Sequence, residues 1–161
     1  MLIIIIMQPN SFNWDTVDNK IKMFSFEGKI KKGKCVNVYD GDTIKIVFPL
    51  QGELYRWNCR LTGIDTPELR TKNKKEKKFG YEVRDKLREK ILNKMVSIKC
   101  GEFDKYGRLL GEIFIESDSQ SGGGEKNNKS VNDWLIESGY AFKYDGGKKK
   151  NNWEEYLEKL N

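Results

Sequence analysis

Histidine is absent from this chain of 161 residues. Its absence excludes catalytic triads with a histidine base, metal sites with histidine ligands and nucleases whose general base is an imidazole. Any catalysis must therefore depend on carboxylates, arginines, tyrosines, lysines and a bound metal ion.

Cysteine is scarce, and the three residues Cys35, Cys59 and Cys100 are widely separated. No pair has the CxxC spacing, so the sequence disfavours a zinc site. A sparse and odd set of cysteines indicates buried thiols in a reducing compartment rather than a disulfide framework.

Long apolar runs are also missing. The run 2–7 is far too short to cross a bilayer, and it lacks both a basic leading region and a small-residue cleavage site. We therefore expect no membrane span, no signal peptide and an intracellular location, although the sequence does not specify the compartment.

Charge is the abundant feature of this composition. Charged residues make up 34% of the chain, the net charge is +6 and the sequence pI is about 9.1. Such an excess fits a polyanionic partner such as DNA or RNA, and it equally fits a charge that only maintains solubility. Apolar residues at 37% are enough for one modest core, as expected of a single domain.

The pattern along the chain separates three kinds of segment. Residues 1–25 have no clear period, and we interpret them as an irregular N-terminal extension of a domain that spans 26–161. β-rich segments predict strands over 35–39, 43–48, 54–64, 97–103 and 109–115. A Gly- and Ser-rich stretch without apolar anchors predicts a flexible insertion over 116–130.

Helices are predicted by apolar residues at helical spacing. Phe79, Val83, Leu87 and Ile91 recur every four residues after a basic loop over 69–78, and shorter helices should begin after Ser130 and near Asn152. Ser130 and Asp133 have the spacing of a capping box. The order of three strands, a helix, two strands and further helices predicts a mainly β fold of the α+β class. Its most specific form is a five-stranded OB-fold barrel with about three helices.

Three polar clusters could carry chemistry. They are Asp40-Gly41-Asp42-Thr43, Arg60 with Asp65-Thr66-Pro67-Glu68, and Asp104-Lys105-Tyr106-Gly107-Arg108. Each alone is typical of a polar turn. Together they supply hard oxygen ligands, a further carboxylate and two arginines, which is the set that one-metal hydrolysis of a phosphodiester requires.

The clusters, in this order, resemble the staphylococcal nuclease family. Lys78-Phe79-Gly80-Tyr81-Glu82, and the segment from Ser130-Val131-Asn132-Asp133 to Gly139-Tyr140-Ala141, extend the resemblance to residues 30–145. It implies an OB-fold barrel, one Ca²⁺ ion, and hydrolysis of DNA and RNA with little sequence preference that leaves 3′-phosphate ends.

The resemblance also assigns roles to individual positions. Asp42 and Asp65 would bind the metal through carboxylates and Thr66 through its carbonyl oxygen. Glu68 would be the general base, and Arg60 and Arg108 would bind the scissile phosphate. Lys105, Tyr106 and Tyr144 would contact neighbouring phosphates of the substrate.

Two other interpretations stay open at the level of sequence. One is a non-catalytic OB-fold module that binds nucleic acid or protein, and the other is a structural domain whose polar turns are coincidental. The retained carboxylates and arginines favour the nuclease. We expect a monomer.

Overall fold

The computed structural model describes residues 12–116, 129–147 and 152–159. Five strands close into a barrel, two short strands form a separate sheet, and three α-helices and one 3₁₀ turn (Trp14–Thr16) complete the described structure. The strands are β1 (Ile30–Val38), β2 (Thr43–Leu50), β3 (Glu53–Leu61), β4 (Ile64–Asp65), β5 (Met95–Phe103), β6 (Leu109–Ile115) and β7 (Phe142–Lys143). The helices are α1 (Lys74–Ile91), α2 (Val131–Glu137) and α3 (Trp153–Lys159). The predicted mainly β, five-stranded OB-fold barrel with three helices is confirmed.

The barrel has the strand order β1-β2-β3-β6-β5. All pairs are antiparallel except β3 and β6, which pair in parallel and close the cylinder. In the β2–β3 register Thr43 lies opposite Arg60, and in the β3–β6 register Arg60 lies opposite Leu110. The register therefore brings the turn before β2 to the same end of the barrel as Arg60.

The core fills the barrel and continues under α1. Strand residues that alternate inward, such as Ile44, Ile46 and Phe48, are fully buried, as are Val83 and Leu87 of the helix. Burial of this apolar surface fixes the position of α1 across the barrel.

The three cysteines, Cys35, Cys59 and Cys100, are buried free thiols within this core, as the sequence predicts. Burial raises the pKa of Cys59 to about 12, so it behaves as an apolar side chain rather than a nucleophile.

Several predicted boundaries were wrong. The strand expected over 35–39 begins earlier, at Ile30, and ends at Val38. The strand expected over 54–64 ends at Leu61, because a turn at Thr62 and Gly63, with φ +74° at the glycine, precedes the separate strand β4. The basic loop expected over 69–78 becomes helix at Lys74, because the Asn73 side chain caps the first turn by accepting hydrogen bonds from the backbone N–H groups of residues 75 and 76.

The predicted pairing of Ser130 with Asp133 at the start of α2, which resembles a capping box, is confirmed. Asp133 N donates to Ser130 Oγ at 3.0 Å, and the Ser130 hydroxyl donates to Asp133 Oδ2 at 2.8 Å. The helix ends before Gly139, whose φ of +72° suits a residue without a side chain. The pairing of Ser130 with Asp133 thus fixes the start of α2 directly after the predicted insertion.

The segment before the barrel is exposed throughout residues 12–25, and Phe26 is the first buried side chain among the described residues. Residues 1–11, which include the apolar run 2–7, and residues 117–128 of the predicted insertion lie outside the described structure, as does the last apolar residue predicted for α3, Leu160. In the part of the chain that is described, no helix has the length and apolar character needed to span a bilayer.

Candidate active site

The turn between β1 and β2 forms the first wall of the site. Asp40 Oδ1 accepts hydrogen bonds from the backbone N–H of Asp42 at 3.1 Å and of Thr43 at 2.7 Å. This side-chain bonding to the backbone two and three residues ahead is what shapes aspartate turns. The Asp42 carbonyl in turn accepts from Leu61 N at 2.8 Å, which ties the turn to the end of β3. Asp42 therefore has a fixed backbone position.

Two guanidinium groups converge on the corner formed by Asp42 and Thr43. Arg60 Nη2 lies 3.0 Å from Asp42 Oδ2, and both side chains are mostly buried. The Thr43 hydroxyl donates to Asp42 Oδ1 at 2.9 Å and accepts from Arg108 Nη1 at 3.4 Å. Three of the predicted residues, Asp42, Arg60 and Arg108, therefore lie together, with Thr43 as the bridge.

Arg60 also connects this corner to β4. Its Nη1 donates to the Leu61 carbonyl at 2.8 Å, and Nη1 and Nη2 both approach the Ile64 carbonyl at 3.4 Å. The guanidinium thus occupies the space between Asp42 and the residue before Asp65. Its orientation is set by backbone oxygens on two strands as well as by the carboxylate.

Asp65 and Thr66 are both buried, and Thr66 packs on the Asp40–Thr43 turn. They expose only 3% and 4% of their surface. A methyl group on Gly41 would lie 2.8 Å from Thr66 Cβ and 2.9 Å from Val83 Cγ1, so the turn packs directly on this segment with no room for a side chain. The two predicted metal-binding segments are therefore in contact.

Glu68 is exposed at the edge of an open cavity of about 370 Å³, which Tyr39, Asp40, Leu69 and Arg70 also line. Its backbone N–H donates to Glu76 Oε1 at 3.1 Å. The helix approaches closely here, since a methyl group on Gly80 would lie 3.0 Å from the Pro67 carbonyl. Helix α1 therefore holds the segment that carries Glu68, and Glu68 shares its cavity with the turn that carries Asp42.

Arg108 is held by Asp104 across the β5–β6 hairpin. Arg108 Nε donates to Asp104 Oδ2 at 2.8 Å, and the backbone N–H of Arg108 donates to Oδ1 at 2.9 Å. Burial raises the pKa of Asp104, but the bonds from Arg108 and from the Tyr106 backbone outweigh it, so the net pKa is lowered. The ionised carboxylate thus orients the guanidinium.

The predicted substrate contacts differ in how close they lie to the cluster. Tyr106 is 72% exposed, with Lys105 Nζ at 5.0 Å and the Arg108 guanidinium at 5.6 Å from its ring centre. Tyr144 instead contacts the turn before β4, because its N–H donates to the Gly63 carbonyl at 2.9 Å and its hydroxyl donates to the Gly147 carbonyl at 2.6 Å. Lys105 and Tyr106 adjoin Arg108, whereas the Tyr144 hydroxyl already has an acceptor outside the cluster.

A family profile described as "Staphylococcal nuclease homologue" matches residues 58–161 of this chain. The chain belongs to the staphylococcal nuclease family. The match includes Arg60, Asp65, Glu68 and Arg108 and begins after Asp42. Asp42 therefore lies outside the residues that the profile matches.

Several relatives have similar sequences. An uncharacterized protein of Methanocaldococcus jannaschii is 33% identical over 132 residues, which cover 70% of this chain and 58% of that protein. A protein named micrococcal nuclease from Shigella flexneri is 29% identical over 113 residues, covering 70% and 58%, respectively. An uncharacterized endonuclease of Escherichia coli O157:H7 is 26% identical over 113 residues, covering 70% and 61%. The alignments thus span only about three fifths of the length of these relatives.

In this member of the staphylococcal nuclease family, the electrostatics of Asp42 suit a nearby cation. Burial raises the pKa of Asp42 to about 6, the Arg60 guanidinium opposes the increase, and Asp40 adds to it. A carboxylate in this environment is only partly compensated by Arg60 and Thr43. A bound cation would favour its ionised form.

Side chains of the described residues do not by themselves form a metal site. Among residues 12–116, 129–147 and 152–159, no group of three or more Asp, Glu, His or Cys side chains could hold a metal ion. An ion would therefore depend on the carboxylates of Asp42 and Asp65, the Thr66 carbonyl and water. Ca²⁺ accepts such irregular oxygen sets.

Sequence reasoning missed three residues that support the site. Asp40 shapes the turn, Thr43 bridges Asp42 and Arg108, and Asp104 orients Arg108. Signals for Asp40 and Asp104 were present, because an aspartate that begins a polar turn commonly accepts hydrogen bonds from the backbone ahead of it. The bridge through Thr43 depends on strand pairing between distant segments and has no local signal.

Proposed function

We propose that this protein is a Ca²⁺-dependent nuclease that hydrolyses phosphodiester bonds of DNA and RNA with little sequence preference and leaves 3′-phosphate ends. One observation carries the proposal. Arg60 and Arg108 converge on the corner of Asp42 and Thr43, beside the segment that carries Asp65 and Glu68. The family membership and the endonuclease names of relatives support the same reaction class.

The two arginines would bind the scissile phosphate. A guanidinium has five N–H donors in one plane and can give two parallel hydrogen bonds to phosphate oxygens. Arg108 directs Nε to Asp104 and one Nη1 bond to Thr43, which leaves further donors for a substrate. Because both arginines are already oriented by protein acceptors, they would stabilise the charge that develops on phosphorus oxygens with little reorganisation.

Glu68 would accept the proton of the attacking water. It is the exposed glutamate of the cavity that it shares with Asp40, so both water and substrate can reach it. Removal of a proton as the water attacks increases its nucleophilicity, and this is the role of a general base. As the water oxygen bonds to phosphorus, the P–O5′ bond would break, the departing 5′-oxygen would take a proton from solvent, and the exposed carboxylate would return its proton to solvent.

The metal would be held by Asp42, Asp65 and the Thr66 carbonyl. When bound, Ca²⁺ supplies Lewis-acid polarisation of a phosphoryl oxygen. Affinity of calcium sites increases with the number of charged ligands, and two carboxylates suggest a dissociation constant on the order of 10⁻⁴ to 10⁻³ M. We therefore expect cleavage to require Ca²⁺ well above trace concentrations.

The test is cleavage of single-stranded DNA and RNA by purified protein with Ca²⁺ or with EGTA, followed by end-group analysis. We expect EGTA-sensitive cleavage of both and 3′-phosphate ends. A non-catalytic binding module, the main alternative, predicts binding without chelator-sensitive cleavage. Glu68→Gln separates the two, because it should abolish most turnover in a nuclease while leaving oligonucleotide binding intact.

A further inference from the structure

A second open pocket, of about 420 Å³, lies beside the cavity that contains Glu68. Tyr39, Leu69 and Arg70 line both spaces, so the two share a wall. Arg70 Nη2 donates to the Tyr39 hydroxyl at 2.8 Å, which fixes that wall. Both volumes lie within the range of small-ligand sites. A chain that occupies the first cavity can therefore continue into the second.

The second pocket is strongly basic because of a stripe on α1. Lys77, Tyr81, Arg84 and Arg88 line it and recur at intervals of four, three and four residues, so they lie on one face of the helix. With Arg70 they bring four cationic side chains to the pocket, and none of its lining residues is acidic.

Asp85 pairs with two of these cations. Its Oδ1 lies 2.8 Å from Arg84 Nη2 and 3.6 Å from Arg88 Nη1, and it offsets only part of this charge. Lys77 and Arg70 have no part in that pairing, and both are exposed. The pocket therefore keeps a positive potential toward a ligand.

Aromatic surfaces accompany the cations. Tyr39 and Tyr81 are 45% and 40% exposed. The Arg84 guanidinium lies 4.6 Å from the centre of the Tyr81 ring, and the Arg70 guanidinium lies 5.9 Å from that of Tyr39. Cationic side chains beside exposed rings are the arrangement that binds single-stranded nucleic acid, because phosphates pair with the cations while bases stack without sequence readout.

We propose that this pocket, formed by Tyr39, Arg70, Lys77, Tyr81, Arg84 and Arg88, binds the stretch of single-stranded polynucleotide adjacent to the scissile phosphate. We refer to it as the α1 groove. The inference rests on the proposed nuclease function, since it assumes that the cavity with Glu68 holds the bond to be cleaved. The groove makes the enzyme prefer a strand of several nucleotides over a substrate with one phosphodiester.

The test compares two double variants of equal charge change. Lys77→Gln with Arg84→Gln removes two groove cations that hold no backbone group. Lys86→Gln with Lys94→Gln removes two exposed cations that do not line the groove, and Lys86 lies on roughly the opposite side of α1 from Lys77, by about 180°. Arg88 is left unchanged, because its guanidinium donates to the Val38 carbonyl and supports the fold.

Binding of a labelled oligonucleotide of about 12 nucleotides is measured by fluorescence anisotropy in a Glu68→Gln background, over a range of salt concentrations. Each phosphate contact on a single strand contributes about 0.7 to the logarithmic salt slope, so the groove pair should lower the slope by about 1.4. If the contacts contribute nothing at about 1 M salt, a slope change of about 1.4 over one decade of salt concentration corresponds to roughly 25-fold weaker binding at about 0.1 M. The control pair should change both quantities much less.

Cleavage provides the second measurement, with Glu68 restored. The groove pair should lower kcat/KM for the long oligonucleotide by a similar factor and leave kcat/KM for a dinucleotide unchanged. Three results would refute the α1 groove as a binding site. The two double variants could lose equal affinity for the oligonucleotide, the groove variant could lose equal kcat/KM on both substrates, or the groove variant could lose no affinity. Absence of cleavage by the unmodified protein would instead refute the proposed function, and the anisotropy result would still report on the pocket.

Discussion

Asp42→Asn should make the metal-free protein more stable at neutral pH than the unmodified protein. Burial raises the pKa of Asp42 from its ordinary value of 3.8 to about 6, even with Arg60 beside it. The folded protein therefore binds this proton more tightly than the unfolded chain does. An asparagine keeps a similar shape and has no proton to lose.

The sign and size of the effect follow from linkage. When the folded-state pKa exceeds the unfolded-state pKa, the free energy of unfolding decreases as the pH rises from the lower value to the higher. The interval from 3.8 to about 6 is about two pKa units, which at 1.36 kcal/mol per unit is about 3 kcal/mol. Below 3.8 Asp42 imposes no such penalty, and above about 6 the penalty is complete.

The assay is urea denaturation of both proteins in EGTA at a series of pH values from about 3 to about 8. The difference in unfolding free energy between the two proteins cancels the titration of groups that both retain, including Asp104. As the pH rises from 3.8 to about 6, the free energy of unfolding of Asp42→Asn should increase by about 3 kcal/mol relative to that of the unmodified protein. At higher pH the difference should be constant.

A difference that is independent of pH, or that shifts toward the unmodified protein as the pH rises, would refute the reasoning. Added Ca²⁺ provides the matched control. At about ten times its dissociation constant, a ligand that binds only the folded state adds about 1.4 kcal/mol of stability. The unmodified protein should gain this increment and Asp42→Asn should lose most of it.

Glu68→Gln should lower kcat by about 100- to 10,000-fold, with oligonucleotide affinity nearly unchanged; a parallel loss of affinity would argue against a general base. Arg108→Lys should lower kcat/KM by about 100-fold or more in the same assay, since an ammonium cannot replace a bidentate guanidinium; retained activity would remove Arg108 from the phosphate site. Gly41→Ala should lower the free energy of unfolding by about 1 to 3 kcal/mol in urea, because its methyl group would lie 2.8 Å from Thr66 Cβ; an unchanged midpoint would contradict the close packing. Asn73→Ala should lower the free energy of unfolding by about 1 kcal/mol, because the α1 cap is lost. A thermal unfolding curve, followed by circular dichroism, that matches the curve of the unmodified protein would contradict this.

The barrel was predictable because its signals are local. Strand residues such as Ile44 and Ile46 alternate with polar ones, and the turn at Asp40 and Gly41 carries its own chemistry. The prediction of the strand over 54–64 was wrong because a turn interrupts the β-rich pattern. Gly63, with its positive φ, divides one apparent strand into two, and the pairing of β4 with β7 joins segments almost eighty residues apart. No short-range pattern encodes such pairing.

The site, like the barrel, could be predicted from the sequence only in part. The residue types at Asp42, Arg60, Glu68 and Arg108 can be read from motifs, but their mutual orientation depends on the register that places Thr43 opposite Arg60. Orientation is what separates a phosphate site from a set of polar turns, because a guanidinium that is already held by Thr43 or by backbone carbonyls needs little rearrangement to receive a phosphate.

The α1 groove extends this argument to long-range structure. In the sequence, Lys77, Arg84 and Arg88 belong to an amphipathic helix, and a charged helical face is commonly only solvated. They form a pocket because Arg88 donates two hydrogen bonds, at 3.2 and 3.0 Å, to the Val38 carbonyl at the end of β1, which brings the helical stripe against Tyr39. The same strand end leads directly into the turn that carries Asp42. One packing contact between residues fifty positions apart therefore places the cationic stripe beside the cavity that contains Glu68. A single-stranded nucleic acid bound to both would be positioned by the contact between α1 and the barrel.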